Sequence, residues 1–140
     1  SNLLPKNNRD IAHRGFGPGE NTATAFRLAG EKGFWGCEAD IRFDSNGNLV
    51  CSHGTVGKGD NPTTFEEYLD ICKEYGMTAI IDMKYSQGWS KAGEDEYVNQ
   101  ILDTIETRDC IFEPKQSHIS SKLDLVIENE IDWAHVVTQT

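Results

Sequence analysis

Gly36-Cys37-Glu38-Ala39-Asp40-Ile41 is the stretch whose reading decides the fold. Its small and apolar residues read as a short β-strand, and in a strand the side chains at i and i+2 share a face. Glu38 and Asp40 therefore project together, while Cys37, Ala39 and Ile41 face the other way. Two carboxylates on one face repel each other and lose hydration if buried, so the pair is tolerable only with a cation, a proton or an arginine between them. A hard divalent ion such as Mg²⁺ or Ca²⁺ meets that need with oxygen ligands, commonly carboxylates, waters and a substrate phosphate. Alone, an acidic pair at this spacing is a weak signal, and more often the mark of a solvated strand face or a surface salt bridge.

The surrounding segments repeat the plan. Asp10-Ile11-Ala12-His13-Arg14-Gly15 is an apolar stub ending in an imidazole and a guanidinium, followed by a turn rich in glycine and proline. Leu49-Val50-Cys51-Ser52-His53-Gly54 again ends in a histidine before a glycine-containing loop. Thr78-Ala79-Ile80-Ile81-Asp82-Met83-Lys84 ends in a carboxylate and an ammonium two residues apart. Titratable groups at the ends of several strands are the pattern of a (β/α) barrel's catalytic face. A satisfied core or surface residue is the plain reading of either histidine taken singly, and it weakens when three strand ends share the arrangement.

His13-Arg14-Gly15, Glu20-Asn21-Thr22, Ala25-Phe26, Ala29, Gly33, Gly36, Glu38-x-Asp40, Gly47, Val50 and His53, in this order, resemble the N-terminal half of the glycerophosphodiester phosphodiesterases. The likeness runs on to Asp82-Met83-Lys84, where that family usually has Glu-x-Lys. The resemblance implies a metal-dependent TIM barrel that hydrolyses glycerophosphodiesters to an alcohol and glycerol phosphate. It implies that Glu38, Asp40 and Asp82 hold the metal, that His13 and His53 form the acid/base pair, and that Arg14 and Lys84 lie near the phosphate. Two departures stand out: His53-Gly54 where the family commonly has His-Asp, and the shorter Asp82 in place of glutamate. Both are similar to the sphingomyelinase D-like phospholipases, which release a head group by attack of the substrate's own hydroxyl. The segment 54–60, however, lacks the cysteine pair of several such enzymes, and Glu20-Asn21-Thr22 fits the first family better.

An eight-stranded barrel usually takes roughly 250 residues and rarely fewer than about 200, whereas this chain has 140. The expected fold is thus α/β, a partial (β/α)8 barrel of about five parallel strands within one domain spanning 1–140. Its C-terminal strands would be missing or supplied elsewhere, and an open sheet edge would call for a partner chain or a larger assembly such as a phage tail. Along the chain, helices are expected at 21–32 with Gly33 as a stop, at 64–75 with Gly76 as a stop, at 95–107 and at 122–130. Strands are expected at 34–43, 49–52, 78–83, 118–120 and 134–138, with Asp44-Ser45-Asn46-Gly47-Asn48 as a hairpin turn. The segments 54–60 and 85–94, the latter with Trp89, read as exposed loops and as the visible candidates for a specificity surface.

Composition narrows the partners. With 37% hydrophobic and 26% charged residues the chain suits a globular core, and its net charge of −10 argues against nucleic acid. An acidic surface also repels an anionic substrate at long range, a difficulty that a divalent metal, Arg14 and Lys84 would remove locally. The expected substrate is a small-molecule or polymeric glycerophosphodiester, poly(glycerol phosphate) included; a catalytically silent module keeping the pocket is the alternative. No apolar run approaches a membrane span. Cys37, Cys51, Cys72 and Cys110 have no metal-ligand spacing, and Cys37 and Cys51 read as small buried hydrophobes, which slightly favours a reducing, cytoplasmic setting over a secreted or virion-associated one.

Overall fold

The computed structural model of the chain describes residues 4, 9–84 and 89–108, together with the backbone of 112–114 and 136–137. Strands β1 (Ile11–His13), β2 (Gly36–Phe43), β3 (Leu49–Cys51), β4 (Thr78–Met83), β5 (Phe112–Pro114) and β6 (Val136–Val137) form one sheet. Among the described residues three helices, α1 (Ala23–Lys32), α2 (Phe65–Tyr75) and α3 (Lys91–Arg108), lie between them in the chain. The strand order is β5-β4-β2-β1-β6, all pairs parallel, and β3 adds an antiparallel partner to the end of β2. This is a mixed α/β unit with a small sheet.

Register fixes which side chains meet. Ile11 pairs with Gly36, His13 with Glu38, Glu38 with Ile80, and Asp40 with Asp82. By alternation, Ile11, His13, Glu38, Asp40, Ile80 and Asp82 share one face of the sheet, and Ala12, Cys37, Ala39, Ile41, Ala79, Ile81 and Met83 share the other. The second set is buried against Phe26 and Ala29 of α1, Tyr68, Leu69 and Cys72 of α2, and Tyr97, Val98 and Ile101 of α3. That layer is continuously apolar because parallel strands receive their helices there. On the opposite face Ile11 and Ile80 form a separate apolar contact with Trp35, below the charged residues.

Each helix starts and stops where local chemistry demands. Thr22 accepts from the Ala25 amide and Thr64 from that of Glu67, while Gly33 and Gly76 end α1 and α2 in left-handed backbone, φ 87° and 67°. Glu66 and Glu67 lie in the first turn of α2, where a negative charge suits the helix dipole. The helix expected at 95–107 begins earlier, at Lys91: the Ser90 hydroxyl accepts from the Gly93 amide and the Ser90 carbonyl from that of Glu94. The last four residues of the loop expected at 85–94 are therefore helix. Trp89 packs on Phe43 and Tyr97, with ring centroids 5.9 and 5.3 Å away, instead of standing in solvent.

The hairpin turn forms as the Asn-Gly pair suggests. Asp44 Oδ1 accepts from the Asn46 and Asn48 amides, and Gly47 takes φ 80°. β5 has no counterpart among the expected strands; three residues with a proline carry too little periodicity to mark one. The segments expected at 118–120 and 122–130 lie outside the described residues, while Val136–Val137 of the expected last strand pairs with β1. Among the described residues no helix is long and apolar enough to cross a membrane.

Gly15 closes the β1–α1 loop onto α1. Its φ is 84°, and a Cβ there would stand 2.7 Å from Ala25 Cβ and 2.8 Å from the Ala25 carbonyl carbon. Gly15→Ala should lower unfolding free energy by about 1–3 kcal/mol, from overpacking and left-handed strain together. A denaturant midpoint equal to wild type would contradict this packing.

Candidate active site

The charged face is assembled at the C-terminal ends of β1, β2 and β4. Asp40 and Asp82 are register partners, so their side chains stand side by side, and Glu38 lies one step back on β2. One oxygen from each of Glu38, Asp40 and Asp82 falls within 4.8 Å of the others, and all three residues are buried. At such separations a like-charge pair costs roughly 3–4 kcal/mol at an effective dielectric of about 20. Compensation comes from Lys84, whose Nζ lies 3.2 Å from Asp82 Oδ2 and 3.5 Å from Asp40 Oδ1, and from Arg14, whose Nε lies 3.0 Å from Asp40 Oδ2. Three anions face two cations.

Arg14 is held on several sides. Its backbone amide donates to Glu38 Oε1 at 2.9 Å, one guanidinium nitrogen pairs with Glu20 at 2.9 Å, and another stands 2.9 Å from His53 Nδ1. Arginine only donates, so His53 accepts at Nδ1 and its ring proton resides on Nε2. Burial alone would lower the Arg14 pKa; the Glu20 hydrogen bond and the charge of Asp40 raise it above the usual value instead. His13 Nε2 is 3.9 Å from Glu38 Oε1 and His53 Nδ1 is 3.7 Å from Asp40 Oδ2. The His13 side chain is 22% exposed and that of His53 59%, so both imidazoles reach solvent above a floor of buried carboxylates. The seven residues singled out in the sequence, His13, Arg14, Glu38, Asp40, His53, Asp82 and Lys84, thus come together.

Backbone staples set these positions. The Ser52 amide donates to the Asp40 carbonyl, while the Arg42 guanidinium donates to the carbonyls of Ser52 and His53 at 3.1 and 2.7 Å, tying the His53 loop to β2. The Tyr97 hydroxyl from α3 donates to the Ile41 carbonyl and accepts from the Lys84 amide, locking the end of β4 to β2 beside the site. Tyr68 from α2 does the same lower down, donating to the Cys37 carbonyl. Cys37 and Cys51 are buried, and burial pushes both thiols well up, so they remain protonated apolar filler.

Glu20 and Asn21 belong to the motif that carries the resemblance, which assigns them no role at the site, and Arg42 has no signal in the sequence at all. Asn21 suggests only a capping role, which Thr22 fills. The segment 54–60 is largely exposed, and the clefts lined by Asp60, Asn61, Glu66 and Gln100 and by Phe43, Trp89, Ser90 and Gly93 are not lined by any of the seven.

The carboxylates suit a divalent cation. Asp40 Oδ1 is buried and accepts no hydrogen bond, the donor set is all oxygen, and the excess of one negative charge among these five groups is of the sign a cation would cancel. Burial pushes the Asp40 carboxyl up, but the Asn21 hydrogen bond and the charges of Lys84 and Arg14 prevail and hold it below the ordinary carboxylate range. A group with a depressed folded pKa stabilises the protein above its unfolded value, near 4, and loses that contribution as pH falls through the folded value. In metal-free buffer the wild-type unfolding free energy should therefore fall below about pH 4 more steeply than that of Asp40→Asn; parallel curves would contradict an ionised, paired Asp40.

No family model and no curated protein matches the sequence. Solved structures do match in fold. A glycerophosphodiester phosphodiesterase from Parabacteroides distasonis aligns with a TM-score of 0.64 at 18% identity, covering 78% of this chain and 56% of its own. One from Agrobacterium tumefaciens aligns at 0.59 and 19% identity, covering 84% and 60%. An Oleispira antarctica phosphodiesterase, solved with the product sn-glycerol-3-phosphate, aligns at 0.53 and 17% identity, covering 95% and 84%. The chain spans a little over half the length of the first two. Its α/β fold is therefore similar to part of the fold of these glycerophosphodiester phosphodiesterases.

Proposed function

We propose that this chain carries the active site of a metal-dependent phosphodiesterase that hydrolyses glycerophosphodiesters to an alcohol and glycerol phosphate. The observation that carries the reading is the convergence of three buried carboxylates, two cations and two imidazoles from the parallel strands β1, β2 and β4 and from the loop after the antiparallel β3. We read the five parallel strands as part of a (β/α)8 barrel, with the charged face as its interior.

Glu38, Asp40 and Asp82 would hold Mg²⁺ or Ca²⁺. Bound there, the ion would supply Lewis-acid polarisation of a phosphoryl oxygen and lower the pKa of an attacking hydroxyl. Arg14 and Lys84, already beside the carboxylates, would turn their remaining donors to the phosphate and make the cleft attractive to an anion inside an acidic protein. His13 and His53 would divide the proton transfers, one accepting from the nucleophile and the other protonating the departing alcohol oxygen. Histidine suits both tasks near neutral pH, with a reference pKa of about 6.5. A water nucleophile gives glycerol phosphate directly, whereas the substrate's own hydroxyl would give a cyclic phosphate.

Phosphorus NMR of glycerophosphocholine or a poly(glycerol phosphate) incubated with the protein and Mg²⁺ or Ca²⁺ tests this. Glycerol phosphate should accumulate, and chelation should stop it. Choline release with a cyclic phosphate would indicate the sphingomyelinase D-like reaction, and phosphate affinity without turnover a silent pocket. His13→Ala and His53→Ala should each lower turnover by about 10²–10⁴-fold with far-UV circular dichroism unchanged. Near-normal activity in either variant removes that histidine from the mechanism.

A further inference from the structure

The loop that joins β1 to α1 has a feature that the proposed chemistry leaves unused. Arg14 and Asn21 are the two non-glycine residues at positive φ among the described residues, both at 59°, and they stand at the two ends of this loop. The Asn21 amide donates to the Arg14 carbonyl at 2.9 Å, which closes the loop on itself. Asn21 is 5% exposed and grips Asp40 at two points: its Nδ2 donates to Asp40 Oδ2 at 3.0 Å, and its Oδ1 accepts from the Asp40 backbone amide at 3.1 Å. A left-handed, buried, non-glycine residue is held there by its contacts, and asparagine both tolerates that conformation and supplies a donor and an acceptor on one planar group.

We infer that Asn21 is a positioning residue for the metal ligand Asp40, an inference that rests on the metal reading above. The side-chain amide fixes the carboxylate's rotation by engaging Oδ2 from the loop side, where Arg14 Nε also approaches. Oδ1, which accepts no hydrogen bond, is thereby left on the side of Lys84 Nζ. Because the same amide also accepts from the Asp40 backbone, its donor is held at a fixed place beside the carboxylate. Ligand orientation from a neighbouring hydrogen bond of this kind is commonly worth about 10–100-fold in metal affinity.

The test is Mn²⁺ titration of the full chain by calorimetry, with thermal unfolding of the metal-free proteins alongside. Asn21→Ala should bind Mn²⁺ about 10–100-fold more weakly than wild type. Thr22→Ala, which loses the cap of α1 but no bond to Asp40, should lower the unfolding midpoint with Mn²⁺ affinity unchanged. Asn21→Gly keeps the left-handed backbone free of strain and removes the donor and the acceptor together; it provides a folded comparison should the alanine variant unfold, and its affinity should fall as far. Wild-type affinity in a folded Asn21→Ala or Asn21→Gly protein would overturn the positioning role while leaving the metal site standing. Equal affinity losses in Asn21→Ala and Thr22→Ala would overturn it in favour of general loosening. Absence of Mn²⁺ binding by wild type would instead overturn the metal reading, and this inference with it.

Discussion

Confinement of like charge is the constraint around which the rest of this structure is arranged. Glu38, Asp40 and Asp82 are buried on one sheet face within 4.8 Å of one another, and no folding benefit of burial explains three carboxylates in that place. Each would be cheaper as an apolar residue, as the opposite face of the same strands shows with alanine, isoleucine and methionine. The sheet tolerates them because Arg14 and Lys84 pair with them and because the Asn21 side chain and the Arg14 backbone amide each donate to one of their oxygens. Compensation is incomplete in charge, and that residue of negative potential is what a cation would use.

Much of the remaining architecture keeps those groups in register. The parallel pairing of β2 with β4 is the longest in the sheet, and it sets Asp40 opposite Asp82. Two buried tyrosines, one each from α2 and α3, send hydroxyls into carbonyls of β2, so the helices that bury the apolar face also hold the strand that carries two of the three carboxylates. The short antiparallel β3 takes up the edge of β2 beyond the end of β1 and delivers His53 to the site. Packing on one face and chemistry on the other are therefore coupled through the same backbone atoms. A change in helix packing would be felt as a change in ligand geometry.

The parts of this arrangement readable from sequence are those with a period or a punctuation mark. Strand alternation by itself puts Glu38 and Asp40 on a common face, and the apolar runs ending in His13, His53 and Asp82 mark the other strand ends. Thr64 with Glu66 and Glu67, and Gly33 and Gly76, bound two helices for reasons that are local. What escapes is non-local or aperiodic. Nothing in Glu20-Asn21-Thr22 announces that Asn21 reaches a carboxylate nineteen positions away, since the same residue next to a helix start serves equally well as a cap. Ser90 lies within a polar stretch that resembles a loop, and only its hydrogen bonds reveal an earlier start for α3. β5 is three residues long, too short for either period to show.

The reading stands or falls on whether two neighbouring strands, β2 and β4, present a single oxygen-lined cation site. Crystals of the protein soaked in Mn²⁺ and measured for anomalous scattering address it most directly. One strong peak is expected, bonded to carboxylate oxygens of Glu38, Asp40 and Asp82 at about 2.0–2.6 Å, the range of oxygen ligation by hard divalent cations. A fully soaked crystal without a peak there, or with its peaks only at exposed carboxylates elsewhere, would contradict it.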